Sequence, residues 1–146
     1  MVKVERNYKF ILAFENSICE DYVTEKVFVV MQYYIVPVVM GGANYSEHLP
    51  PNSFIDVRDF NSPQELAAFL KEVAQDDARY RKYFEWKTLY TAGGTQLHCD
   101  VCEYINKNWN KTEILERFDQ FWSRKRFCTD PLKYFEHHFY NYEFLH

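Results

Sequence analysis

The sequence predicts an α/β fold in which a parallel sheet is flanked by helices. Two observations support this fold: short β-rich runs alternate with helical ones, and Pro37 lies near the start of its predicted strand, the place where a central strand tolerates proline. The predicted elements are a strand over Tyr8–Phe14, a helix over Thr24–Tyr34, a strand over Val36–Met40, a short strand over Ser53–Val57 and a helix over Pro63–Val73. In such a fold the carboxyl ends of the strands share one edge of the sheet, where ligands bind.

The helix that begins at Pro63 has a clear start signal. Ser62 is placed as its N-cap, and Pro63 occupies the first helical position, where a missing N–H is tolerated. Apolar residues recur at helical spacing along one face, namely Leu66, Phe69, Leu70 and Val73. A second helical segment, Ala78–Trp86, follows a polar turn, and its aromatic residues are expected to face inwards.

Composition excludes several functional classes. The 146 residues are 47% hydrophobic and have a net charge of −4 without a long basic run, which argues against a nucleic-acid partner. No apolar stretch reaches the length of about 18 residues that a membrane span needs, and the N-terminus lacks the apolar core of a signal peptide. These features are typical of a cytosolic protein. Four cysteines and two N-glycosylation sequons, at Asn44 and Asn110, point instead to a secretory compartment.

The chain is predicted to divide after residue 102. Residues 1–102 contain the elements above, whereas residues 103–146 form an aromatic-rich, partly helical extension. Order is expected to loosen after Trp86 and to return in a helix that Thr112 caps and that runs to Trp122. The aromatic tail after this helix needs a cover, which is either another part of the full-length protein or a second copy of this chain in a homodimer.

Polar residues crowd the predicted junction between the first strand and the first helix. Asn16 lies at the end of the strand. Tyr22, Glu25 and Lys26 stand at i, i+3 and i+4, which places them on one face of a first helical turn. A nucleoside diphosphate suits this set, because lysine neutralises phosphate oxygens while carboxylate and amide groups bond to ribose hydroxyls. The alternative is a solvated helix start that Asp21 caps.

Glycine-rich phosphate loops are absent from the sequence. The pair Gly41-Gly42 follows the second predicted strand rather than the first, and neither the dinucleotide nor the P-loop pattern occurs. These absences argue against a dehydrogenase or a P-loop enzyme. A bound diphosphate would be held mainly by side chains.

Five segments between Tyr8 and Trp86 form a long and specific pattern. They are YKFILAFENS, DYVTEKVF, VPVVMGGANY, LPPNSFIDVRDFNSPQELAAFL and YFEW. In order and spacing they resemble the donor-binding region of the α-1,3/4-fucosyltransferases, and ENSIC-x-DY, with its cysteine at Cys19, looks more like the core-fucosylating branch. The resemblance implies the C-terminal half of a two-domain, GT-B type glycosyltransferase with a Rossmann-like sheet.

The same resemblance implies roles for the junction residues. Asn16 and Glu25 would hold the ribose and its surroundings, and Tyr22 and Lys26 would contact the diphosphate of GDP-fucose. Members of this family transfer fucose from that donor, with inversion, and the expected acceptor here is a GlcNAc hydroxyl on a glycan. The resemblance also implies a Golgi type II membrane protein at full length, with an anchor that this chain is expected to lack.

The general base is not assigned to any residue of this chain. In the family it comes from the N-terminal half, together with the acceptor pocket, and this chain is expected to lack that half. Glu15, Glu20 and Asp21 are the acids near the junction, and we interpret them as capping or solvated groups. The chain on its own is therefore expected to be inactive, with the missing N-terminal domain as its partner.

The four cysteines leave three full pairings open. Cys99 and Cys102 resemble a C-x-x-C of the family, whose partners in relatives lie in the N-terminal half. Cys128 is expected to pair with Cys19 or to stay free. One C-x-x-C beside a histidine is a weak zinc signal, so no metal site is predicted. Dependence on a divalent cation stays open, because the sequence has no D-x-D triplet.

Two other functions stay open from sequence alone. One is a GDP-binding module without catalysis, and the other is an interaction protein whose C-terminal aromatic residues are the functional surface. A transfer assay separates the first from an enzyme. The second predicts that Glu25→Ala and Lys26→Ala leave nucleotide binding unchanged.

Overall fold

The computed structural model describes residues 2–93, 97–112, 114, 128–130 and 132–134. In this part of the chain a three-stranded parallel sheet carries helices on both faces, which confirms the predicted α/β class. Most of the helix predicted from Thr112 to Trp122, and most of the aromatic tail, lie outside the described residues.

The elements follow one another in an alternating order of strands and helices. They are α1 (Val2–Glu5), β1 (Phe10–Phe14), β2 (Ile18–Cys19), α2 (Glu25–Met31), β3 (Val36–Met40), α3 (Tyr45–His48), β4 (Ile55–Asp56), α4 (Pro63–Gln75), α5 (Asp77–Lys82), α6 (Leu97–Asn108) and β5 (Cys128–Thr129). Short 3-10 turns cover Val57–Asp59 and Glu85–Thr88.

The parallel sheet has the strand order β1-β3-β4. β1 pairs with β3 along its full length, from Phe10 opposite Val36 to Phe14 opposite Met40. β4 pairs with β3 on the other side, also in parallel. The carboxyl ends of all three strands therefore meet at one edge of the sheet, as the sequence predicted. A separate antiparallel pair joins β2 to β5.

Apolar clusters cover both faces of the sheet. On one face α2, α3 and Trp86 close over β1 and β3; the buried members are Ala13, Val27, Met31, Val39, Tyr45, Leu49 and Trp86. On the other face α4 and α5 pack over Val36, Val38, Ile55, Val57 and Phe60. Val38 and Val39 serve opposite faces because successive strand residues point to opposite sides.

Two strands are shorter than predicted. β1 begins at Phe10 rather than Tyr8, because the Tyr8 N–H donates to a carbonyl at the end of α1. The strand predicted over Ser53–Val57 is reduced to the two residues of β4. The Asp56 carboxylate ends it by accepting a hydrogen bond from the Arg58 N–H at 2.9 Å, which starts the 3-10 turn.

The first core helix is also shorter than predicted. α2 begins at Glu25, after Thr24 as N-cap, and ends at Met31 instead of Tyr34. The Tyr34 N–H donates to Glu5 Oε1 at 2.7 Å, so it is unavailable to a helical carbonyl. The Tyr33 N–H has already turned to the Val30 carbonyl, three residues back, so the α-helical pattern ends before Tyr34.

The helix after β4 agrees with its sequence signals. Ser62 Oγ accepts a hydrogen bond from the Glu65 N–H at 3.1 Å, and Pro63 opens the helix, as predicted. Its apolar face packs on the sheet, with Val73 fully buried. The expected loop between β3 and β4 contains one additional short helix, α3.

The expectation of loose order after Trp86 is wrong over α6. Val101, Tyr104 and Ile105 of this helix are exposed, so they form no buried stripe of the kind that makes a helix recognisable in a sequence. Local pairs four residues apart support it instead, such as the ion pair of Glu103 and Lys107. α6 also crosses the domain boundary placed after residue 102, and that division stays a prediction.

Candidate functional site

The end of β1 and the first turn of α2 bring Asn16 and Lys26 together. Lys26 Nζ donates hydrogen bonds to Asn16 Oδ1 at 2.6 Å and to the Phe14 carbonyl at 3.0 Å. Asn16 is exposed, whereas the lysine side chain is 29% exposed. The ammonium group therefore lies at the carboxyl edge of the parallel sheet, where open α/β sheets bind ligands.

Glu15 is a third member of this cluster, and the sequence did not single it out as one. Its side chain is fully buried. One carboxylate oxygen accepts from the Thr24 N–H at 2.8 Å, and the other accepts from the Thr24 hydroxyl at 2.7 Å. The second oxygen also lies 3.5 Å from Lys26 Nζ. The carboxylate therefore links the end of β1 to the start of α2.

The alternation of side-chain directions along β1 is the sequence signal that could have predicted the burial of Glu15. Ala13 faces α2, and Glu15, two residues further on, is expected to face the same way. An acid does cap this junction, as predicted, but the acid is Glu15 and not Asp21. Asp21 is exposed in the preceding turn, with a backbone φ of 54°.

Tyr22 does not share a helical face with Glu25 and Lys26, contrary to the prediction. Tyr22 precedes the helix, and its N–H donates to the Cys19 carbonyl at 3.3 Å. Glu25 is the first helical residue and is exposed. Within the described part of the chain, neither side chain bonds to Lys26. The predicted donor set is thus split into a joined pair, Asn16 and Lys26, and two separate residues.

Gly41 and Gly42 allow the elements around this cluster to approach closely. A Cβ on Gly42 would lie 2.5 Å from the Cys19 carbonyl oxygen. A Cβ on Gly41 would clash with the Tyr45 hydroxyl and would lie 3.2 Å from Glu15 Cγ. The glycine pair therefore has a packing role beside the candidate site, and no phosphate loop is formed there.

Tyr45 is fully buried behind Gly41. Among the described residues its hydroxyl has no hydrogen-bond partner. Burial, followed by the nearby charges of Glu15 and Asp56, raises the pKa of Tyr45. The hydroxyl thus stays protonated next to the buried carboxylate.

A buried ion pair fixes the neighbouring strand ends. Arg58 Nη2 donates to Asp56 Oδ2 at 2.6 Å and to the Ala43 carbonyl at 2.8 Å. The hydrogen bonds with Asp56 raise the pKa of Arg58. This pair connects the chain after β3 with the end of β4, next to the ring of Tyr45.

Cys19 and Cys128 form a disulfide that ties β2 to β5. It is one of the pairings that the sequence left open, and it joins residues 109 positions apart. Cys99 and Cys102 are free and exposed on α6, three residues apart and so on one side of the helix. Their pairing with cysteines of another part of the protein stays a prediction.

Both predicted glycosylation sequons have exposed asparagines. Asn44 is the N-cap residue of α3, and its Nδ2 donates to Glu47 Oε1 at 2.6 Å. Asn110 lies in the turn after α6. Glycosylation at either position stays a prediction.

A cavity of about 590 Å³ opens beside β4 and is not lined by any of the predicted donor-binding residues. Its polar and aromatic lining includes Asn52, Asp56, Asp59, Phe60, Phe69 and Tyr83. Burial, followed by the neighbouring Asp56, raises the pKa of Asp59. No lysine or arginine is among the described residues that line it.

Two other kinds of feature are absent from the described residues. No group of three or more His, Cys, Asp or Glu side chains is arranged to hold a metal ion. None of the described helices combines the length and apolar character that crossing a bilayer requires.

The chain matches the family described as "Glycosyltransferase family 10 (fucosyltransferase) C-term" over residues 1–122. The chain belongs to this family. The match extends past residue 102 and so includes part of the predicted C-terminal extension. It confirms the resemblance drawn from the five segments.

Several curated relatives of this family 10 chain are named as fucosyltransferases. Alpha-(1,3)-fucosyltransferase C of Drosophila melanogaster is 39% identical over 121 residues, which are 82% of this chain and 28% of the relative. FUT6 of Pongo pygmaeus, a 4-galactosyl-N-acetylglucosaminide 3-alpha-L-fucosyltransferase, is 42% identical over 70% of this chain and 30% of its own length. Glycoprotein 3-alpha-L-fucosyltransferase A of Drosophila melanogaster is 37% identical over 86% of this chain and 26% of its own length. The chain thus spans about a third or less of these relatives.

Proposed function

We propose that this chain is the donor-binding part of a fucosyltransferase that transfers fucose from GDP-fucose, with inversion, to a GlcNAc hydroxyl on a glycan. One observation carries the proposal: Lys26 and Asn16 meet at the carboxyl edge of the sheet. Membership of family 10 supplies the reaction class, because the matched relatives are named fucosyltransferases.

Lys26 is proposed to contact the donor diphosphate. When the bond between fucose C1 and the phosphate oxygen breaks, negative charge grows on the departing GDP, and an ammonium group in contact with it stabilises that charge. A lysine has three N–H donors. Two of them go to Phe14 and Asn16, and the third faces Glu15 at 3.5 Å.

Asn16 is the acceptor that a phosphate oxygen is expected to replace. It is exposed, whereas the Phe14 carbonyl is fixed by the strand and the Glu15 carboxylate is buried. Release from Lys26 frees the Asn16 amide, which both donates and accepts, for the ribose and its surroundings. We keep Tyr22 and Glu25 in the proposed donor set, where they would reach the ligand from outside the Lys26 cluster.

The general base is proposed to come from another part of the full-length protein. Glu15 is the buried acid at the site, but both of its oxygens accept hydrogen bonds from Thr24. A carboxylate engaged in this way is not placed to take a proton from an acceptor hydroxyl, because a base must reach that proton directly or through one water. Glu20 and Asp21 are exposed.

The proposed acceptor is a GlcNAc hydroxyl, to which fucose would be joined in α-1,3 linkage; the rest of the acceptor glycan is not assigned. The relatives whose names specify different acceptors are all 37% to 42% identical to this chain. Sequence identity therefore does not favour one acceptor over another. An N-terminal half of GT-B type, a Golgi location and a type II anchor belong to the same proposal for the full-length protein.

A transfer assay on the full-length protein tests this function. The assay follows fucose transfer from GDP-fucose to GlcNAc-terminated acceptors by the unchanged protein, by Lys26→Met and by Lys71→Met, whose lysine is exposed on α4. We expect transfer by the unchanged protein and by Lys71→Met, and a strong loss in Lys26→Met. Donor binding without transfer would favour a non-catalytic module, and neither binding nor transfer would favour an interaction protein.

A further inference from the structure

We infer that Glu15 is a positioning residue that holds Lys26 ready for the donor diphosphate, an inference that rests on the proposed function. The carboxylate and the ammonium are 3.5 Å apart, and the carboxylate side chain is fully enclosed. An enclosed acid cannot reach a ligand in the crevice. Its influence on a ligand must therefore pass through the groups it touches, which are Thr24 and Lys26.

The surroundings fix the carboxylate in one place. Two hydrogen bonds from Thr24 hold its oxygens at 2.8 and 2.7 Å. On its other side Gly41 leaves just enough room, because a Cβ there would lie 3.2 Å from Glu15 Cγ and would clash with the Tyr45 hydroxyl. Glu15 is thus a rigid anchor, whereas a lysine is a flexible four-carbon stem with a compact charge.

An anchored lysine has less freedom to lose when a ligand arrives. Immobilising one rotamer-rich side chain on binding weakens affinity by about three- to tenfold, and a lysine already held by Glu15 and the Phe14 carbonyl avoids most of that loss. Glu15→Gln keeps the size of the side chain and removes its charge. It should release Lys26 while leaving an oxygen that can still accept a hydrogen bond from Thr24.

The competing explanation is that Glu15 only caps the start of α2. Thr24→Val separates the two roles. It removes the hydroxyl that bonds to Glu15, but the backbone N–H of residue 24 and the enclosure of the side chain still hold the carboxylate beside Lys26. A cap alone should make Thr24→Val and Glu15→Gln alike in GDP affinity. A positioning role should make them differ.

The test is a double-mutant cycle on the 146-residue chain with GDP as the probe, measured by calorimetric titration. The variants are the unchanged chain, Glu15→Gln, Lys26→Met, the two combined, and Thr24→Val as the control. Denaturation curves first establish that each variant is folded at the titration temperature. Glu15→Asp, which keeps the charge but shortens its reach, takes the place of Glu15→Gln if that variant unfolds.

We expect Glu15→Gln alone to weaken GDP binding by about three- to tenfold relative to the unchanged chain. When Lys26→Met is already present, adding Glu15→Gln should have almost no further effect. Thr24→Val should stay within about twofold of the unchanged chain. The inference is overturned if Glu15→Gln binds GDP equally well or more tightly, if its effect persists without Lys26, or if Thr24→Val reproduces it. Failure of the unchanged chain to bind GDP is a different result, because it removes the donor site and this inference together.

Discussion

Glu15 and Thr24 form a two-point contact in which the carboxylate accepts from both the backbone N–H, at 2.8 Å, and the hydroxyl, at 2.7 Å. Thr24 is the N-cap of α2, although its own side chain makes no cap hydrogen bond. The strand end thus holds the helix start, and Lys26, in the first turn of that helix, is held with it. The geometry around Lys26 therefore depends on contacts made by the fold itself.

Gly42→Ala should destabilise the protein by about 1 to 3 kcal/mol, as overpacking of a tight contact does. The added Cβ would lie 2.5 Å from the Cys19 carbonyl oxygen and 2.8 Å from its nitrogen, and backbone atoms cannot turn aside as a side chain can. Urea denaturation measures the effect. Gly93→Ala is the matched control, because nothing lies within 4 Å of a Cβ there. Equal stability of the two variants would contradict the close packing of β2 on Gly42.

Replacing Cys19 and Cys128 together by serine should lower the free energy of unfolding by about 2 to 5 kcal/mol. The bond closes a loop between residues 109 positions apart, so its loss frees a large part of the unfolded chain. Cys99→Ser with Cys102→Ser is the control, since both thiols are free and exposed. Guanidinium unfolding under oxidising conditions should separate the two double variants. A control that loses as much stability would show that the disulfide is not the source of the effect.

Arg58→Leu should lower the free energy of unfolding by about 2 to 3 kcal/mol. This loss is somewhat smaller than the loss on breaking a fully buried ion pair, because the arginine side chain is 28% exposed. Its removal leaves the Asp56 carboxylate, 9% exposed, without its cation. Arg79→Leu removes an exposed pair with Glu72 and should cost less than about 1 kcal/mol. Denaturant midpoints at neutral pH compare the two. A larger loss in Arg79→Leu would reverse the predicted order.

Stability should fall as the pH rises from about 10 to about 12, in part through Tyr80. Burial raises the pKa of Tyr80 to about 12, above its ordinary value of 10.0. The folded chain therefore holds a proton in this range that the unfolded chain releases, and this difference favours unfolding as pH rises. The Tyr80 hydroxyl also donates to the Lys9 carbonyl at 2.9 Å. Tyr80→Phe should therefore be less stable than the unchanged chain at pH 9, and its stability should decrease less between pH 9 and pH 11.

Tyr90→Phe is the control for this pH dependence, because Tyr90 is 55% exposed. Urea midpoints of both variants and of the unchanged chain are compared at pH 9 and pH 11. A slope in Tyr80→Phe as steep as in the unchanged chain would assign the alkaline loss to other groups.

The sequence predicted the parts of the fold that local patterns determine. Val36–Met40 was predicted with its observed bounds, and Ser62 caps α4 as expected, because continuous apolar runs and cap residues act within a few positions. The end of α2 was missed because the apolar and aromatic run continues past Met31, whereas the Tyr34 N–H bonds to Glu5, 29 positions away. α6 was missed because Val101, Tyr104 and Ile105 are exposed and form no buried stripe.

The candidate site was predicted in part for the same reason. Asn16 and Lys26 were placed at one strand end and one helix start, and the structure joins them. Glu15 was treated as an ordinary capping acid, because burial and the contact with Lys26 appear only when β1 and α2 pack together. Tyr22 was assigned to a helical face that begins three residues later, at Glu25. Its proposed contact with the donor therefore rests on the family resemblance.

A thermal-unfolding titration of the 146-residue chain with GDP and with guanosine tests the proposed donor site most directly. A ligand that binds only the folded state stabilises it by RT ln(1 + [L]/Kd), and guanosine lacks the diphosphate that Lys26 is proposed to contact. We expect GDP to raise the midpoint more than guanosine in the unchanged chain and in Lys71→Met. In Lys26→Met most of this difference should vanish, since a charge-assisted contact contributes about 1.5 to 3 kcal/mol, or roughly ten- to a hundredfold in affinity. Equal shifts by GDP and guanosine in the unchanged chain, or a full GDP shift in Lys26→Met, would contradict the assignment of Lys26 to the diphosphate.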